Sequence, residues 1–214
     1  MSKKNQELKQ KVSMEIELIK SQKVNASRDF EAYLEENYLT PQALTYLFEE
    51  APKEMVKIYV NKVYPSFGKP EFKKYQTQVM AYGNRKTLAT YYMYYEVSPN
   101  GEIELIKREE VNPFVFYVVN HGLSDKAFKY LIKNGSSELI ESYLNNKELE
   151  TRLLPFFINN ASIEDLIWYY VTSTPTEKGL FIEFLQKSGN KKVINKLSDE
   201  CEMIQIALAI PPKH

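Results

Sequence analysis

Apolar residues fall at helical spacing through most of the chain, and the spacing recurs. Between Leu123 and Leu144, the residues Leu123, Ala127, Tyr130 and Leu131 follow i, i+4, i+7, i+8, while Leu139, Ile140, Tyr143 and Leu144 follow i, i+1, i+4, i+5. Each set is one apolar stripe on a helix, and Gly135 lies between them. The segment therefore predicts two short helices around a turn.

The same unit is legible upstream and downstream. A step of about 26 residues back lays Leu105-Ile-Lys107 over Leu131-Ile-Lys133 and Phe114 to Val118 over Ile140 to Leu144, and a second step reaches Val79-Met80 and Leu88 to Tyr92. Forward, a step of 27 gives Ile158, Ile167 to Val171, Leu185 and Ile194 to Leu197. Leu39 to Leu47 with Met55 to Val60 matches Leu123 to Leu144, and Leu18 to Lys20 with Phe30 to Leu34 matches loosely. A tyrosine recurs at Tyr33, Tyr59, Tyr91, Tyr117, Tyr143 and Tyr170, with Leu197 in its place in the last unit. Internal repetition at such a period predicts an array of supersecondary units, each stabilised by its neighbours because helices of about ten residues are marginal alone.

Capping chemistry marks the boundaries. Thr40 before Pro41, Ser124, Ser136 and Ser162 predict helix starts, and Gly83, Gly135 and Gly189 predict turns. Ala51, Glu109 and Ser162 stand where the other units have glycine, so a positive φ angle is not a general requirement of the turn. One stretch favours strands on local grounds: Tyr91 to Val97 and Glu102 to Ile106 are rich in β-formers around Asn100-Gly101. The repeat instead places Tyr91 at the end of one helix and Leu105 to Lys107 within the next, with the Pro99-Asn-Gly101 segment as the loop, and helices are the expectation.

The fold expected is all-α, an α-α superhelix of six to seven two-helix repeats of 26–27 residues in one domain, 1–214. Residues 1–38 form a degenerate first repeat, 39–200 the regular ones with an insertion near 64–71, and 201–214 a capping helix and tail. Leu47, Val56, Tyr59, Val79, Leu88, Tyr91, Leu105, Phe114, Tyr117, Leu131, Ile140, Tyr143, Ile158, Ile167, Tyr170, Leu185 and Ile194 share a register and are expected to form one continuous core.

The pattern Leu-x3-Ala-x3-Leu-Ile-x2-Gly-x3-Leu-Ile-x2-Tyr-Leu resembles the short two-helix units of bacterial leucine-rich-variant and HEAT-like α-solenoid proteins, over about residues 39 to 200. The resemblance implies a fold and a tendency to bind macromolecules. It transfers no catalytic residue.

Composition and charge narrow the function. The 28 basic and 28 acidic side chains cancel, so no overall field favours polyanions. A single cysteine, Cys201, and two histidines, His121 and His214, offer no zinc ligand set and no intrachain disulfide. His121, between two helices, has no nucleophile at a recognisable spacing, and acidic neighbours of Cys201 oppose a thiolate. Adjacent acids such as Glu109-Glu110 point about 100° apart on a helix and do not converge. No phosphate loop or nucleophile elbow occurs, and no catalytic residue, cofactor or metal is expected. No apolar run is long enough to span a bilayer, and the expected location is cytoplasmic.

A non-enzymatic scaffold for a protein partner is the reading that follows. A nucleic-acid-binding repeat protein is the alternative, and an unrecognised enzyme the second. The position before the repeat tyrosine carries Ile58, Thr90, Phe116, Ser142, Tyr169 and Lys196, which is not the basic column a base-reading solenoid would show. At the two positions before the tyrosine most units are polar or small, whereas Val115-Phe116 and Trp168-Tyr169 are not. A partner-binding patch of Phe116, Trp168 and Tyr169, bordered by Tyr92 and Tyr95, is expected there. Apolar positions in Cys201 to Ile210 also suggest self-association through Met203, Ile206 and Ile210.

Overall fold

Helix after helix begins where the sequence supplies an oxygen to cap it. In the computed structural model, which describes residues 3–21, 25–63 and 70–209, Thr40 accepts from the Ala43 N–H, Asn84 from Thr87, Ser124 from Ala127, Ser162 from Asp165 and Asn190 from Val193. Thr174 and Glu177 form a reciprocal capping box. Ser136 occupies its cap position without a side-chain bond.

The described residues form fifteen α-helices, one 3-10 segment (Pro70–Tyr75) and no strand. They are α1 (Lys3–Lys20), α2 (Ala26–Glu36), α3 (Pro41–Glu50), α4 (Lys53–Lys62), α5 (Gln76–Tyr82), α6 (Arg85–Tyr94), α7 (Pro99–Lys107), α8 (Val111–His121), α9 (Asp125–Asn134), α10 (Ser137–Asn146), α11 (Leu154–Asn160), α12 (Ile163–Thr172), α13 (Pro175–Ser188), α14 (Lys191–Glu200) and α15 (Glu202–Ala209). The strand-like stretch is helical, in α6 and α7. Pro99-Asn-Gly101, expected as a loop, instead makes the first turn of α7. Gln76 explains the fit: its Oε1 accepts from the Ser98 N–H at 2.7 Å, and its Nε2 donates to Glu96 O at 2.8 Å and Tyr91 Oη at 3.2 Å. A Cβ at Gly101 would lie 2.9 Å from Gln76 Oε1. Most of the insertion expected near 64–71 lies outside the described residues.

The chain divides into two compact units, Met1–Glu104 and Leu105–His214. In the first, α1 packs on α2 and α3, α4 on α2, α3 and α5, and α5 on α6. In the second, each helix packs on the helix two further along: α8 on α10, α10 on α12, α12 on α14, and likewise α9, α11, α13 and α15 in turn. Of the expected core residues, all are buried except Ile167 and Ile194, which are half-buried.

Two kinds of turn join paired helices. Ala51, Gly83, Gly135 and Ala161 have φ of −77°, −65°, −77° and −73°, so alanine serves there as well as glycine. Glu109 and Gly189 are left-handed, at φ 54° and 60°. The turn position expected at Ser162 belongs to Ala161, and Ser162 is the cap of α12.

Candidate interaction surface

Helices α8, α10 and α12 start at cap residues Glu110, Ser136 and Ser162, a constant 26 residues apart, and α14 follows at Asn190. The closing bonds give the same register in most of these helices. The C-cap N–H donates to the carbonyl of Tyr33 in α2, Tyr59 in α4, Tyr91 in α6, Tyr143 in α10, Tyr169 in α12 and Leu197 in α14, whereas in α8 Gly122 donates to Val118, one residue past Tyr117, and the register of α8 rests on its start at Glu110. The repeat tyrosine of α12 is therefore Tyr169 and not Tyr170. Tyr169 is only 5% exposed, with its ring 5.4 Å from that of Phe157 and 5.9 Å from that of Phe181. Burial pushes its hydroxyl pKa up, while the Ser173 hydrogen bond opposes and the charges of Glu177 and Glu148 add to the rise. The expectation that Tyr169 is an exposed contact residue is corrected: it is buried, as is its neighbour Tyr170, whose ring lies 5.7 Å from that of Phe181.

With that register, equivalent outward positions of α8, α10 and α12 are Phe116, Ser142 and Trp168, then Val119, Asn145 and Val171. Phe116 and Trp168 are half-buried, whereas Val119 is 49% and Val171 44% exposed. The backbone carbonyls of Phe116, Ser142 and Trp168 are each taken by a side chain four residues on, Asn120 at 2.7 Å, Asn146 at 2.8 Å and Thr172 at 2.9 Å. Those carbonyls are satisfied, and what the face offers is side chains.

The face has a charge pattern too. Glu138, Glu141 and Glu164 are the outward ionisable residues of α10 and α12, which contain no lysine or arginine. No ion pair engages these three among the described residues. Glu141 is half-buried, between the equivalent apolar positions Val115 on α8 and Ile167 on α12. Helix α14 is mixed in charge, with Lys191, Lys192 and Lys196 and then Asp199 and Glu200 in its last turn.

The remaining contact candidates are on other elements. Tyr92 and Tyr95 belong to the first unit, both half-buried, with the Tyr95 ring 4.9 Å from that of the buried Tyr91. Met203 and Ile206 are exposed on α15, whereas Ile204 is buried and Ile210 lies outside the described residues. His121 is exposed, its ring stacked on Tyr117 at 5.0 Å, and Cys201 is buried at the C-cap of α14. Among the described residues no group of three or more His, Cys, Asp or Glu could hold a metal ion, and no helix is long and apolar enough to cross a membrane.

Sequence reasoning missed the buried polar cluster around Glu15. Glu15 is fully buried on α1, where its Oε1 accepts from Tyr33 Oη at 2.7 Å and its Oε2 from the Thr40 N–H at 2.9 Å and Thr40 Oγ1 at 2.5 Å. It ties α1 to α2 and to the cap of α3. Burial, then the bond to Glu15 and its charge, raise the pKa of Tyr33 well above the ordinary phenol value. Each acceptor oxygen is satisfied, so the cluster is built as a structural clamp.

No protein family, curated protein or solved structure shows significant similarity to this chain.

Proposed function

We propose that the protein is a helical-repeat scaffold, an α-α superhelix of short two-helix repeats, that holds a protein partner on the outward face of α8, α10 and α12. One observation carries the reading: Phe116 and Val119 on α8, and Trp168 and Val171 on α12, stand partly or largely exposed where α10 has Ser142 and Asn145. Exposed apolar side chains clustered on one face mark contact surfaces, and tryptophan and aromatic anchors are enriched where contact energy concentrates. The carboxylates of Glu138, Glu141 and Glu164 on the same face would repel phosphate, which weighs against nucleic acid as its ligand.

The test is affinity capture from the source cell with wild-type protein and a Phe116→Ser/Trp168→Ser variant, both checked for an unchanged melting transition. A protein retained by the wild type and lost from the variant supports the scaffold. Identical sets of retained proteins refute this face as the binding site, and co-purified nucleic acid lost from the variant would move the reading to nucleic acid.

A further inference from the structure

We infer that the partner segment is cationic and amphipathic: two apolar anchors separated by lysine or arginine, laid across α10 from α8 to α12. The inference rests on the docking face proposed above and adds the chemistry of its occupant.

The argument starts from Glu141. Glu141 is a half-buried residue that places a negative charge on this face, and an opposite charge brought close to it is attracted. Glu141 has no ion-pair partner among the described residues, although its equivalents on the neighbouring helices are the apolar Val115 and Ile167. Glu138 and Glu164 sit in the first turns of α10 and α12, where the helix dipole alone favours an acid. That explanation does not reach Glu141, one turn further in. An ammonium or guanidinium from outside would complete it.

The apolar side chains set the spacing. Helix axes pack about 8–10 Å apart, so the α8 anchors Phe116 and Val119 stand roughly 16–20 Å from the α12 anchors Trp168 and Val171. That separation is covered by about 12 residues of helix or about six of extended chain. The acid lies midway, on α10. Beyond α12 the face is mixed in charge, with Lys192 and Lys196 of α14 followed by Asp199, so the acidic stretch is centred on α10 and α12.

Trp168 is the only tryptophan of the chain, so its fluorescence reports occupancy directly. The probes are synthetic peptides with phenylalanine and leucine anchors about six or about 12 residues apart, with either a lysine or a glutamate centre, and a scrambled lysine peptide of equal composition. The full-length protein should bind a lysine-centred peptide at least tenfold more tightly than its glutamate-centred and scrambled counterparts, and binding should weaken as salt rises. A Glu138→Lys/Glu141→Lys variant with an unchanged melting transition should reverse the preference. Equal binding of lysine and glutamate centres, or no binding of either lysine peptide at millimolar concentration, overturns the inference. A Phe116→Ser/Val119→Ser variant separates the two failures. If peptides bind without charge preference but this variant weakens them all, the docking face stands and only its charge chemistry falls; if the variant weakens none, the face falls as well.

Discussion

Ser173 donates its backbone N–H to the carbonyl of Tyr169 at 2.9 Å, the bond that Lys147 makes to Tyr143 at the same length one unit earlier. That bond puts Tyr169 in the core and Trp168 on the outer face. Replacing the buried Tyr169 by alanine should cost about 3–5 kcal/mol, as for other large core aromatics. Trp168→Ser, at a half-buried ring, should cost less than Tyr169→Ala. Urea denaturation of both variants tests this placement, and the reverse order of cost would put Trp168 rather than Tyr169 in the core.

Glu15 joins three helical segments through Tyr33 and Thr40. Glu15→Leu leaves the Thr40 N–H and hydroxyl without their acceptor, so it should destabilise by on the order of 3 kcal/mol, more than Tyr33→Phe at about 1 kcal/mol. Thermal unfolding of the two variants tests this. A Glu15→Leu protein as stable as the wild type would mean that the clamp contributes nothing net.

Alkaline pH should unfold the chain through its tyrosines. Burial pushes Tyr91 up to about 12, with the Gln76 hydrogen bond opposing, and also raises Tyr33, Tyr169 and Tyr170 above the ordinary value near 10. Raised values mean that the folded state holds these protons more tightly, so the stability they contribute is complete below pH 10 and is lost as pH climbs through about 12 for Tyr91. Phenolate absorbance should show these four groups titrating at higher pH in the native protein than in concentrated urea. Equal titration in both states would contradict their burial.

Glu109 adopts φ 54°, a left-handed conformation that costs most side chains about 1–2 kcal/mol. Glu109→Gly should stabilise by about 0.5–1 kcal/mol after glycine's own entropic cost is set against the relieved strain. Glu109→Val should destabilise, since a β-branched residue is especially disfavoured there. Chemical denaturation ranks the three proteins, and valine as the most stable would exclude the strained turn.

The helices were legible because apolar spacing and cap residues agree locally: Ser124, Ala127 and Leu131 specify α9 without help from elsewhere. The sequence also separates Phe116 and Trp168 from their polar counterparts, because the outward position repeats at a constant distance from each cap. What stayed hidden depends on distance along the chain. Glu15 reads as one more charged residue of a polar helix, and its partners lie 18 and 25 residues away. Tyr169 and Tyr170 are both apolar neighbours in a run, so periodicity alone cannot choose between them; only the capping bond does. Pro99 joined α7 rather than a loop because Gln76 anchors Ser98, a contact 22 residues apart.

The scaffold account is tested most directly by site-specific photo-crosslinking in the source cell. A photoreactive amino acid at Val119 or Val171, both exposed on the outward face of α8 and α12, is compared with one at Lys133, exposed on α9. The account predicts one shared protein adduct from positions 119 and 171, absent from 133 and suppressed by Glu138→Lys/Glu141→Lys. The same adducts from all three positions, or none from 119 and 171, would contradict it.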